Sequence, residues 1–288
     1  MEQCKLEFLS EKYSPLDTNS NSKITFLQDS AEVVTVKNSG GSAALSGIKR
    51  ISKNQYKKVE TGEVFNYNTN TNRTDNTISI KNSLKKLRVL IKNNFVELES
   101  FLVTLTYKDE MFEFSKAVQD YTEFYKKLKK HYNYYRFEYL RIIEPTAKGE
   151  WHIHVLFKLA EKVDKFYISQ EKIQSIWGHG SVKVRQVYNV EGVEKYFCTY
   201  SNGGKALTAK VKPKYIKKQE RWKYYPYRAR IFAKSNGIIY PQTLNVKRNQ
   251  VDEILKGYKQ TSANTLLVRN IETGKVLNKV NYEHYKKR

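Results

Sequence analysis

Residues 135–144 and 150–158 are two strand-like runs separated only by the polar turn Pro145-Thr146-Ala147-Lys148-Gly149. So short a turn folds the second run back beside the first, as an antiparallel neighbour. The second run contains Trp151-His152-Ile153-His154-Val155-Leu156-Phe157. Side chains two apart on a strand share a face, so His152 and His154 point together while Ile153 and Val155 point the other way.

Two imidazoles on one strand make half of a metal site. Glu144, at the end of the preceding run, offers a third ligand, because antiparallel neighbours lie about 5 Å apart. Two imidazoles and a carboxylate suit Mg2+ or Mn2+ acting on a phosphate, with Zn2+ as an alternative. The competing reading is two half-buried sheet histidines bonded to their neighbours and a surface carboxylate at a turn. Further on, Glu194-Lys195-Tyr196-Phe197-Cys198-Thr199-Tyr200 sets two tyrosines four apart, on one face of a predicted helix. A tyrosine oxygen that attacks phosphorus keeps the energy of the broken bond in a phosphotyrosine. Rings packing on a sheet would show the same spacing.

Around this segment the periodicities predict a strand at 101–107, a helix at 112–131, a helix at 169–176, a strand at 181–187 and a helix at 190–201. The order β-α-β-β-α-β-α predicts an α+β fold with a central antiparallel sheet and helices mainly on one face. Residues 1–45 read as a weakly ordered arm with one strand at 32–37. Residues 46–100 read as a basic extension, with an Asn/Thr-rich loop at 66–76 and an amphipathic helix at 78–97. The core spans 101–205. Residues 206–288 read as a basic C-terminal extension, comprising a Lys/Tyr-rich connection at 206–230, a helix at 250–257 and a hairpin, 265–270 with 275–282, around Glu272-Thr273-Gly274.

Composition narrows the partners. The 288 residues include 52 Lys and Arg against 29 Asp and Glu, a formal charge of +23, which favours a polyanion and nucleic acid above all. Tyrosine occurs 22 times, often beside Lys or Arg, as in Arg221-Trp222-Lys223-Tyr224-Tyr225, and such interleaving suits unpaired bases and their phosphates. Cys4 and Cys198 lie far apart, which argues against a disulfide framework and a thiolate zinc site. No N-terminal apolar run resembles a signal peptide and no stretch approaches the roughly 20 apolar residues of a membrane span, so the expectation is a cytoplasmic protein without a membrane partner.

Taken in order, these segments resemble the HUH endonuclease superfamily, named for histidine–hydrophobe–histidine, whose core is an RRM-like sheet. More narrowly they are similar to the rolling-circle replication-initiation (Rep) proteins of plasmids and phages. Phe101-Leu102-Val103-Thr104-Leu105-Thr106-Tyr107 looks like the first motif. Ile143-Glu144 with Lys148-Gly149-Glu150-Trp151-His152-Ile153-His154 looks like the second. Trp177-Gly178-His179-Gly180 resembles the segment leading to the tyrosine helix, and Gly192-Val193-Glu194-Lys195-Tyr196 aligns Tyr196 with the nucleophile and Tyr200 with a second tyrosine of some members.

The family usually places a lysine three residues after the tyrosine. Here Thr199 or Gly203 stands there, and Lys205 is the nearest lysine downstream. The resemblance implies an enzyme of plasmid or phage origin in a bacterial host, nicking and rejoining single-stranded or hairpin origin DNA through a 5′-phosphotyrosine. It implies a divalent metal on His152, His154 and Glu144, Tyr196 or Tyr200 as nucleophile, and Lys205 as a supporting cation. The chain has no phosphate loop ending in Lys-Ser/Thr, so unwinding and synthesis would fall to a host helicase and DNA polymerase. A transposase or relaxase of the same superfamily, or a non-catalytic single-strand DNA-binding protein, are the alternative readings.

Overall fold

The computed structural model describes residues 6–38, 48–59, 61–66, 77–163, 166–198 and 220–288. The chain divides into two units, residues 1–69 with 241–288 and residues 70–240. The described elements begin with β1 (Leu6–Lys12), β2 (Asn21–Phe26), β3 (Ser30–Val36), β4 (Ile48–Arg50), β5 (Gln55–Lys58) and β6 (Val64–Asn66). Next come α1 (Thr77–Asn94), β7 (Ser100–Leu105), α2 (Phe114–His131), β8 (Phe137–Pro145), β9 (Trp151–Leu159), α3 (Gln170–Trp177), β10 (Val182–Gln186) and α4 (Val190–Cys198). After a 3-10 turn at Arg221–Tyr224 follow β11 (Phe232–Lys234), β12 (Thr243–Lys247), α5 (Arg248–Ile254), β13 (Tyr258–Asn270) and β14 (Val276–Lys287).

The unit formed by the two ends of the chain holds an antiparallel sheet in the order β1-β13-β14-β3-β2-β12, and β4, β5 and β6 make a small sheet of their own. The hairpin expected around Glu272-Thr273-Gly274 is there, with longer strands than its apolar run suggests. Residues 6–38 carry three strands where periodicity marks one at 32–37. β1 and β2 are rich in Ser, Glu, Lys and Asn, and their polar residues hide the alternation. Every second residue of β2, Ser22 and Ile24, is nonetheless buried, and Ser22 Oγ hydrogen-bonds Thr35 Oγ1 at 2.8 Å. α5 closes one face, setting Val251 and Leu255 against Ile24, Ala31, Val33 and Tyr285. On that face Glu283 is 1% exposed and accepts hydrogen bonds from Gln260 Nε2, Tyr285 Oη and Arg248 Nη2. A buried carboxylate needs such company.

The unit spanning residues 70–240 holds an antiparallel sheet in the order β10-β7-β9-β8-β11. The α+β class and the antiparallel sheet stand as read from the sequence. Register gives the sheet two unlike faces. Thr104, His154 and Ile142 stand in one row, and Glu144 is directly opposite His152. The opposite face is built from Val103, Leu105, Ile143, Ile153, Val155 and Phe157, all buried, together with Arg141 and Tyr139.

α2 packs on that opposite face. Its Tyr121 ring lies 4.9 Å under the Arg141 guanidinium and 5.3 Å from Tyr139. Trp177 of α3 joins the same layer, 5.9 Å from Phe124. α4 lies on the histidine face, with Phe197 5.1 Å from the His154 ring. α1 joins it there through Leu84 and Leu87, which line a cavity with Ile142 and Glu144.

The end of α1 is pinned by Asn94, whose Nδ2 donates to Ile239 O at 2.7 Å and whose Oδ1 accepts from Ile239 N at 2.8 Å. The strand preceding that anchor, β11, has only three residues and pairs with β8. Gly180 explains the shape of the loop after α3. A Cβ there would stand 2.5 Å from backbone atoms of Thr106 and Lys108, so the loop can lie against the end of β7 only with glycine at that place. Among the described residues no helix is long and apolar enough to cross a membrane.

Candidate metal centre

The hairpin that carries the candidate ligands is built to be rigid. Thr146 N donates to Glu150 O at 2.7 Å, Gly149 N donates to Thr146 O at 3.1 Å, and Gly149 adopts φ +97°. A side chain at Gly149 would also meet the ring of Tyr224, 2.8 Å from where its Cβ would stand. The turn therefore holds Glu144 opposite His152 in register, and the pleat brings His154 to the same face.

Glu144, His152 and His154 form a cluster able to hold a metal ion: one ligand atom from each lies within 4.8 Å of the others. The two imidazole rings stand 4.7 Å apart and nearly perpendicular. His154 Nε2 is 3.6 Å from Glu144 Oε2. Glu144 and His154 are buried, 9% and 5% exposed, and His152 is half-buried. Two ligands bound at about 2.1 Å sit about 3 Å apart when adjacent around one ion. The three donors therefore fit a shared cation in type and in spacing, with small inward shifts.

Thr104 is a member of the site that residue type and spacing did not single out. It sits opposite His154 in the β7–β9 register, and its Oγ1 is 3.0 Å from His154 Nδ1. With Nε2 turned to Glu144, Nδ1 carries the proton and donates it to the hydroxyl, which fixes both tautomer and ring angle. Thr104→Val keeps the β-branched shape and removes the acceptor. Its expected effect is a loss of about 10–100-fold in Mn2+ affinity, read by titration followed by electron paramagnetic resonance. An unchanged affinity would limit Thr104 to packing.

α4 carries Tyr196 over the same face. Its ring is half-buried, 5.8 Å from the His154 ring and 4.8 Å from Phe197. Other tyrosines near the sheet are core pieces. Burial, reinforced by the Asp120 carboxylate, holds the Tyr107 hydroxyl well above the ordinary phenol range, and burial raises Tyr121 and takes Tyr125 up to about 12. Such shifts oppose formation of a phenolate. Tyr200 and Lys205 lie outside the described residues, as do Thr199 and Gly203, so the structure brings together His152, His154, Glu144 and Tyr196 among the residues singled out by sequence.

No curated protein and no solved structure matches the chain. Residues 100–205 match a family described as Replication-associated protein, a stretch that contains β7, the whole His–Glu cluster and α4. That match supports reading the chain as a replication initiator of the Rep type.

Proposed function

We propose that the chain starts rolling-circle replication by cutting and rejoining single-stranded or hairpin origin DNA with a tyrosine. The observation that carries this reading is the cluster of Glu144, His152 and His154 with Tyr196 above it, inside the stretch that matches a replication-associated family. A divalent cation bound by the three ligands, Mg2+ or Mn2+, would polarise the scissile phosphate and offset the charge that builds on its oxygens.

The chain's own residues do the rest. Tyr196 Oη attacks phosphorus, a Tyr–O–P bond forms and the P–O3′ bond breaks. The phenolic proton passes to solvent, and the departing 3′ oxygen takes up a proton to become a hydroxyl that can prime synthesis. Attack on the phosphotyrosine by a later 3′ hydroxyl reverses the step and restores Tyr196. Thr104 keeps His154 in its working tautomer. Phe197 covers the His154 ring and keeps water from that side. The formal charge of +23 suits a DNA partner; helicase and polymerase activities would come from the host.

The test is direct. The protein is incubated with a randomised single-stranded DNA library and Mn2+, and adducts that survive a denaturing gel are sequenced. The expected result is a covalent adduct joined to one sequence family and abolished by chelator. Binding without any adduct would instead favour a non-catalytic single-strand binder.

A further inference from the structure

The segment after the tyrosine helix is anchored on the β8–β9 hairpin. Tyr225 Oη donates to Ile143 O at 2.6 Å, and its ring lies 5.2 Å from Trp151. Tyr224 Oη donates to Ala147 O at 3.2 Å while its ring fills the space beside Gly149. These anchors hold Arg221 at the end of β8, with Nη1 3.4 Å from Pro145 O, one residue from Glu144.

Arg221, Glu144 and Phe197 line one cavity, which therefore borders the metal cluster. Arg221 Nε is shut off from solvent and has no hydrogen-bond partner among the described residues. A guanidinium presents five N–H donors in a planar fork. One long bond to a neutral carbonyl leaves most of that capacity unused, and an unmet buried donor is costly. The fork matches two oxygens of a phosphodiester better than any neutral group does. Glu144 Oε2, for its part, is turned to His154.

We propose that this cavity is a phosphodiester subsite, in which Arg221 grips a backbone phosphate of the bound strand beside the metal cluster. The proposal rests on the reading that single-stranded DNA reaches this cluster. It adds a residue from outside the stretch matched to the family. A strand held at two neighbouring points, the cluster and Arg221, is fixed in register, which the transfer step requires.

The experiment measures binding in chelator, so it does not depend on cleavage. The full chain first selects a single-stranded oligonucleotide from a randomised library by binding alone. Each phosphate of that oligonucleotide is then replaced, one at a time, by a neutral methylphosphonate, and affinity is read by fluorescence anisotropy for the unaltered protein, Arg221→Gln and Arg221→Lys. The unaltered protein is expected to lose roughly tenfold or more at one phosphate. Arg221→Gln should bind the unmodified strand that much more weakly and be indifferent at that one position, with Arg221→Lys in between.

Identical interference profiles for the unaltered protein and Arg221→Gln would overturn the subsite, as would selection of no oligonucleotide. A merely structural arginine would weaken all positions alike. Failure of the cutting reading looks different, since strand binding and the Arg221 interference would persist with no adduct in Mn2+.

Discussion

Tyr196→Phe is expected to abolish the covalent protein–DNA adduct, by roughly a thousandfold or more, while leaving strand affinity within about twofold of the unaltered chain. The substitution removes one oxygen and keeps the ring. The ring contacts to His154 and Phe197 therefore survive, and α4 keeps its seat on the sheet. Loss of the adduct with unchanged binding would isolate the hydroxyl as the attacking group. Tyr107, Tyr121 and Tyr125 are poor substitutes, since burial holds their protons on. Tyr200, four residues on and on the same predicted helical face, is the one rival that sequence spacing supplies. An adduct that persists in Tyr196→Phe and disappears in Tyr200→Phe would move the nucleophile there.

What the sequence made legible is what local geometry controls. The β8–β9 hairpin follows from two strand-like runs and a polar turn, and once it folds, period two and register bring Glu144, His152 and His154 together without help from the rest of the chain. α1 and α2 are legible for the same reason, because their buried residues recur at helical spacing: Leu84, Leu87, Leu90 and Ile91 in one, Ala117, Tyr121, Phe124 and Leu128 in the other. Pairings between distant segments left no such trace. β1 bonds β13 with Leu6 opposite Asn270, and nothing near either residue announces the other. β11 is three residues long and becomes a strand only because β8 offers an edge. The part played by Thr104 depends on the register of β7 against β9, and that of Arg221 on a docking held by Tyr224 and Tyr225.

His152→Ala and Glu144→Gln test the metal cluster itself and should have the second large effect. Each removes one of three protein ligands, so Mn2+ affinity should fall by more than the ~10–100-fold that a supporting residue costs. Adduct formation should vanish at Mn2+ concentrations that saturate the unaltered chain. Glu144→Gln is the sharper of the two, since it keeps the shape of the side chain and deletes only the charge. If Glu144 merely balanced a protonated His154, which lies 3.6 Å away, the glutamine variant would bind Mn2+ as well as the unaltered chain does. The pair should also be non-additive: ligands that act through one ion lose almost everything with the first removal, so the double variant should form adduct no more poorly than either single variant. Additive losses would mean that the histidine and the glutamate serve different sites, and the shared-ion reading of this face would have to be given up.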